Sequence, residues 1–127
     1  MSFKSPLGRV LGQGSHSGTQ HWISQRITSV ALAVLGPWLV VSLLTMPDFS
    51  YASAHAAMAR PANAVVTILF LLAAFHHAYS GVTVVIEDYV PAKGKKILAL
   101  LVLQFLHVAF AVAGIIAVLR LAIWSAV

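Results

Sequence analysis

Residues 76–90, HHAYSGVTVVIEDYV, decide how the rest of the chain is read. An adjacent histidine pair and a glycine stand inside an apolar run, followed by the adjacent acids Glu87 and Asp88, then Tyr89, Val90 and Pro91. Upstream the run continues to Ala64 without a charged residue. A segment of this length crosses a bilayer, since about 20 residues at a rise of about 1.5 Å cover a hydrocarbon core roughly 30 Å thick. Pro91 sets its end, because proline has no amide hydrogen and disfavours the α conformation in the residue before it.

An imidazole in hydrocarbon is costly without a partner, and neutral histidine is a common metal ligand, so His76 and His77 are functional-site candidates. At about 100° per residue, His77, Gly81, Val84 and Asp88 share one helical stripe, while His76, Ser80, Thr83 and Glu87 share its neighbour. Periodicity does not choose between them. Gly81 does, because one turn from His77 it lets a flat ring or another backbone approach the helix closely. His77 is therefore the better ligand candidate.

Working outward, the whole chain carries the same signature. Of its 127 residues 60% are hydrophobic and only 9% charged, with mean hydropathy +0.91, which excludes a soluble domain of this size. Apolar runs over residues 27–46 and 97–124 flank the central one at 64–88, so the expected fold class is all-α with three transmembrane helices. Residues 27–127 form this unit behind a polar segment, 1–26, and none are left for a separate soluble domain. There is no cysteine, which excludes disulfides and thiolate-held zinc or iron–sulfur clusters; a redox centre here would have to be held by histidine. The net charge of +5 comes from basic residues scattered at the ends of the apolar runs. That pattern reports topology in a lipid bilayer and not a nucleic-acid surface.

Residues 1–20 are polar and rich in glycine and serine, without the apolar core of a secretory signal or the arginine density of a transit peptide. They read as a cytoplasmic tail lying on a partner. His21, Trp22, Gln25 and Arg26 then make a polar and aromatic collar before the first run, with Ser24 and Thr28 nearby. Trp22 suits an interfacial anchor, and Arg26 either snorkels to headgroups or binds the carboxylates of a buried cofactor with its planar fork. Gly36 and Pro37 predict a kink in the first helix. Residues 47–61 read as a polar loop or short interfacial segment, in which His55 is an ordinary exposed histidine. After the basic turn of Lys93, Lys95 and Lys96, the third helix carries Gln104, His107, Gly114 and Arg120 and closes at Trp124, a second anchor. Lys4, Arg9, Arg26, Lys93, Lys95 and Lys96 lie on one side against Arg60 and Arg120 on the other, so the expected N-terminus is cytoplasmic and the C-terminus periplasmic.

His77 lies about 15 Å along the axis from Glu87, near mid-membrane on the cytoplasmic half, with Asp88 and Tyr89 at the interface. A haem with its iron at His77 and its propionates toward that interface would span much of this distance, and Arg26, expected at the same interface, could neutralise a propionate. Tyr89 offers a phenolic donor and Asp88 a proton-exchanging carboxyl, a pair suited to holding and protonating a quinone carbonyl. The competing reading is a plain helix terminus with an interfacial tyrosine. His107 lies at the depth of His77, which allows an intrachain bis-histidine site; the preferred reading is a helix–helix hydrogen bond, with His76 or Ser80 as partner.

HHAYSGVTVVIEDYV resembles the second-helix signature of the hydrophobic membrane-anchor subunit of succinate dehydrogenase, the D-type anchor of complex II. That signature places a histidine four residues before a glycine and Asp-Tyr-Val seven residues after it, here His77, Gly81 and Asp88-Tyr89-Val90. HWISQRITS at 21–29 is similar to the family's entry to helix one, and the resemblance covers essentially the whole chain. It implies a non-flavin subunit of the respiratory chain and tricarboxylic acid cycle that does not itself oxidise succinate. In the bacterial inner membrane it would fasten the flavoprotein and iron–sulfur subunits to the bilayer. With a second, cytochrome b556-type anchor it would house haem b and complete the ubiquinone site. On this resemblance His77 is one axial ligand of the haem iron, beside Gly81, with the other ligand from the partner anchor. Tyr89 hydrogen-bonds the quinone, Asp88 supports that site, and Arg26 contacts a propionate or the quinone region; His76 and His107 have no fixed role. The alternatives are the anchor of a quinol:fumarate reductase and, from another class, a non-redox membrane protein in which His77 and Asp88 form a proton relay.

Overall fold

The computed structural model describes residues 16–124, without the side chains of residues 16–18 and His21, so the expected cytoplasmic tail lies largely outside the described residues. Those residues form four helices and no strand: α1 (His16–Leu44), α2 (Tyr51–Met58), α3 (Pro61–Tyr89) and α4 (Lys93–Ile123). Three of them are long and apolar enough to cross a membrane, over Trp22–Leu44, Pro61–Tyr89 and Lys93–Ile123. The expected three-span, all-α architecture is the one found.

The helix ends follow from local chemistry. Pro61 opens α3 at a position where a missing amide hydrogen costs nothing, and Val90, extended at φ −102° and ψ 99°, closes it ahead of Pro91. Arg120 sits in the last turn of α4, where a cation meets the negative end of the helix dipole. Pro37 stands inside α1 without ending it, so the expected kink does not interrupt the helix. A larger difference is the start of α1, at His16 rather than near Ile27. Hydropathy marks where side chains meet hydrocarbon, and a helix with no proline in its polar approach simply continues out of the bilayer.

The segment read as a polar loop or short interfacial segment contains α2, eight residues capped by Ser50, whose hydroxyl accepts from the Ser53 amide at 3.2 Å. Asp48 accepts from the Ser50 hydroxyl at 2.6 Å, from the Ser53 hydroxyl and from the Ser50 amide at 3.1 Å. Those donors, the Ser50 hydroxyl foremost, hold its carboxyl below the usual carboxylate range. His55 is not the free exposed imidazole expected. It is half-buried, and its Nε2 donates to the Trp124 carbonyl at 2.9 Å, fastening α2 to the end of α4.

Among the described residues α3 touches both α1 and α4, which do not touch each other. The three spans therefore form a layer with α3 in the middle. Both seams run antiparallel: Gln25 lies by Gly81 and Gly36 by Phe70, while Lys96 reaches the Glu87 carbonyl at 2.7 Å and Gly114 lies by Leu71. Among the described residues the few buried side chains are on α3 (Ala64, Ala73, Ser80) and α4 (Val118). Small residues are what let helices approach in lipid, where there is no hydrophobic drive between spans.

Candidate functional site

Both histidines of the central stretch reach across the α1–α3 seam. His77, half-buried, has Nδ1 3.1 Å from the Thr28 hydroxyl, and no described residue bonds its Nε2. His76, more exposed, has Nε2 2.6 Å from the Ser24 hydroxyl. Ser24 and Thr28 are one turn apart on α1, so a single face of that helix meets both imidazoles. The Thr28 hydroxyl also lies 3.0 Å from the Ser24 carbonyl and 3.1 Å from the Gln25 carbonyl.

Gly81, one turn along α3 from His77, faces the Gln25 side chain. A Cβ there would meet nothing nearer than Gln25 Nε2, at 3.7 Å. Gln25 Oε1 is buried and has no hydrogen-bond partner, as is Thr83 Oγ1 on α3. Buried polar atoms of this kind are usually satisfied. An imidazole nitrogen without a partner among the described residues, a glycine one turn away with room for a methyl and an unpaired buried amide oxygen beside it are a donor set that a flat, iron-bearing group would fit.

Arg26, Asp88 and Tyr89 are not brought together within the chain. On the register that sets Gln25 by Gly81, Arg26 is level with Ser80, and Asp88 lies about 12 Å farther along the axis. The helix α1 begins ten residues before Arg26, so Arg26 lies inside it and not at its start. Arg26 also points to the opposite flank of α1 from Ser24 and Thr28, about 200° around the helix, with its guanidinium 5.2 Å from the Trp22 ring centroid. Among the described residues it has no carboxylate partner. Asp88 and Tyr89 are exposed at the end of α3, Tyr89 by 80%.

His107 lies at the depth of His77 but on the other seam. Its Nδ1 donates to the Leu103 carbonyl of its own helix at 2.9 Å, and its ring stands edgewise to Phe75 and Tyr79 at 6.3 and 5.5 Å. The expected helix–helix hydrogen bond is replaced by one within α4. Phe75 is about 200° around α3 from His77, so one chain does not bring the two imidazoles onto a common iron. Between α3 and α4 a cavity of about 260 Å³ is lined by Phe75, His76, Tyr79, Gln104 and His107 among others. Among the described residues no group of three or more His, Cys, Asp or Glu side chains could hold a metal ion alone.

The partners that sequence reasoning left without a role are Ser24, Gln25 and Thr28. The readable signal was a pair of hydroxyls one helical turn apart, matching in polarity a histidine pair elsewhere in the chain.

Comparison with known proteins agrees with this architecture. Residues 1–113 match a family described as the succinate dehydrogenase/fumarate reductase transmembrane subunit. A succinate dehydrogenase hydrophobic membrane anchor subunit from Rickettsia conorii (strain ATCC VR-613 / Malish 7) is 29% identical over 118 residues, 91% of this chain and 93% of its own. The subunit of that name from Rickettsia felis (strain ATCC VR-1525 / URRWXCal2) is 33% identical over 88 residues, 69% and 70% of the two chains. That from Paracoccus denitrificans is 32% identical over 90 residues, 70% of each.

Proposed function

Because this chain belongs to the succinate dehydrogenase/fumarate reductase transmembrane subunit family, we propose that it is the hydrophobic membrane anchor of a succinate:quinone oxidoreductase in a bacterial inner membrane. Its N-terminus is cytoplasmic, on the side of the lysine-rich α3–α4 turn. There the flavoprotein and iron–sulfur subunits dock, and a second anchor covers part of the open layer. The relatives carry the succinate dehydrogenase name, which favours this direction over fumarate reduction.

The observation that carries the reading is His77: an imidazole in the middle span with one nitrogen engaged by Thr28 and the other free. His77 Nε2 would hold the iron of haem b, with the other axial ligand from the partner anchor, and Gly81 leaves the helix face open beside it. Bound there, haem b supplies a one-electron redox centre within the bilayer. Arg26, with no carboxylate partner among the described residues, offers its guanidinium to a propionate or the quinone region. At the end of α3 the Tyr89 hydroxyl donates to a carbonyl of ubiquinone, and Asp88 exchanges protons with the cytoplasm during reduction. Since Arg26 and Tyr89 stand apart, neighbouring subunits complete the quinone pocket.

Two substitutions in the assembled complex test this. His77→Ala removes the haem b absorption band while the four subunits still co-purify; an unchanged spectrum removes the ligand assignment. Tyr89→Phe slows quinone reduction but leaves succinate-driven reduction of a soluble artificial acceptor intact. Equal loss of both activities would place Tyr89 in assembly instead.

A further inference from the structure

We propose that Thr28 is a positioning residue that fixes the tautomer and ring plane of His77. The inference rests on the haem-ligand reading of His77 and adds a residue to it. A threonine hydroxyl has one proton and two lone pairs. The Ser24 and Gln25 carbonyls, at 3.0 and 3.1 Å, can only accept; the Gln25 carbonyl already accepts from the Ser29 hydroxyl at 2.8 Å, and we place the Thr28 proton on the Ser24 carbonyl. What Thr28 then turns toward His77 Nδ1, at 3.1 Å, is a lone pair, and the contact is made by Nδ1–H donating to the hydroxyl oxygen. A neutral imidazole has a single ring proton. With it on Nδ1, Nε2 keeps the lone pair that a metal requires.

The adjacent histidine is the internal control. His76 makes its contact to Ser24 through Nε2, at 2.6 Å. The same seam thus spends the outer nitrogen of one imidazole and spares that of the other. A hydroxyl on α1 selects which member of the pair is available, as partners of metal-bound histidines commonly set tautomer and orientation. The carbonyls behind Thr28 belong to its own helix, so the acceptor is held in place before any ligand arrives.

The test compares Thr28→Ser, Thr28→Val and Thr28→Ala in the whole complex with His77→Ala alongside. The readouts are haem content, the rate of haem transfer to apomyoglobin, and the low-spin electron paramagnetic resonance signal. Thr28→Ser is expected to match wild type, whereas Thr28→Val and Thr28→Ala release haem about 10- to 100-fold faster, with an altered signal. Sorting by size instead, with Thr28→Val like wild type and Thr28→Ser as leaky as Thr28→Ala, would overturn the proposal. If Thr28→Val does not assemble, the Ser and Ala variants still decide it. If His77→Ala keeps its haem, the ligand assignment itself is wrong. Loss of haem in His77→Ala, with every Thr28 variant like wild type, overturns only the role of Thr28.

Discussion

The two seams of the layer share a central helix but are built on different chemistry. Between α1 and α3 the contacts near the lysine-rich side are polar: Ser24 with His76, Thr28 with His77, and the Gln25 amide against Gly81. Between α3 and α4, below the Lys96 contact to the Glu87 carbonyl at the helix ends, they are packing contacts: Leu71 against Gly114, and His107, its Nδ1 turned back to its own backbone, edgewise on Phe75 and Tyr79. In hydrocarbon the second kind is the simpler way to hold helices together, because every polar group must find a partner. Polar side chains gathered on one seam, with one imidazole nitrogen and one amide oxygen left over, mark that seam for a task other than cohesion.

The sharpest way to break the comparison is to spoil the packing seam. A Cβ at Gly114 would meet Leu71 Cδ1 at 3.2 Å, closer than side chains ordinarily sit, though the contact is the far end of a flexible residue. Gly114→Ala should therefore be absorbed by a small shift of Leu71. Gly114→Leu should not, and is expected to destabilise by about 1–3 kcal/mol through overpacking. Thermal unfolding of the purified complex reads this, with haem content per intact complex unchanged. Haem loss ahead of unfolding would mean that the two seams are not separable.

A smaller effect measures what the polar seam contributes to cohesion. A double-mutant cycle of Ser24→Ala and His76→Leu should show coupling of about 0.6 kcal/mol, the usual size for side-chain hydrogen bonds between membrane helices. Coupling near zero would reduce the 2.6 Å contact to proximity. Coupling far above that would make His76, not Gly114, the stronger fastening and invert the comparison.

What could be read from the sequence divides along the same line. The three spans are written in hydropathy, and the stop at Val90 in the proline that follows. Where α1 starts was not legible, because its polar first turns look like a tail until the helix is seen to continue through them. α2 was hidden for a different reason: eight residues are too few for periodicity, and the bonds of Ser50 and Asp48 at one end and His55 with Trp124 at the other hold it. His77 was conspicuous as an imidazole in lipid. Its partner was not, since Thr28 lies 49 residues away and only the antiparallel register of α1 on α3 brings it within reach. The axial offset between Arg26 and Asp88 was hidden for the same reason, since it too follows from the register.

The smallest expected effect is the most discriminating, and it concerns the glycine of the polar seam. At Gly81 the nearest atom to a new methyl is Gln25 Nε2 at 3.7 Å, an ordinary van der Waals contact, and alanine suits a helix better than glycine by up to about 1 kcal/mol. If cohesion of this chain were all that mattered, Gly81→Ala would be neutral or slightly stabilising in thermal unfolding. In the proposed function the glycine leaves space for the haem face beside His77. The expectation is an unchanged or raised unfolding temperature together with faster haem release. A gain in stability with haem retention untouched would show that the face beside His77 is not where the ring lies. The ligand assignment would then have to stand on the spectrum of His77→Ala alone.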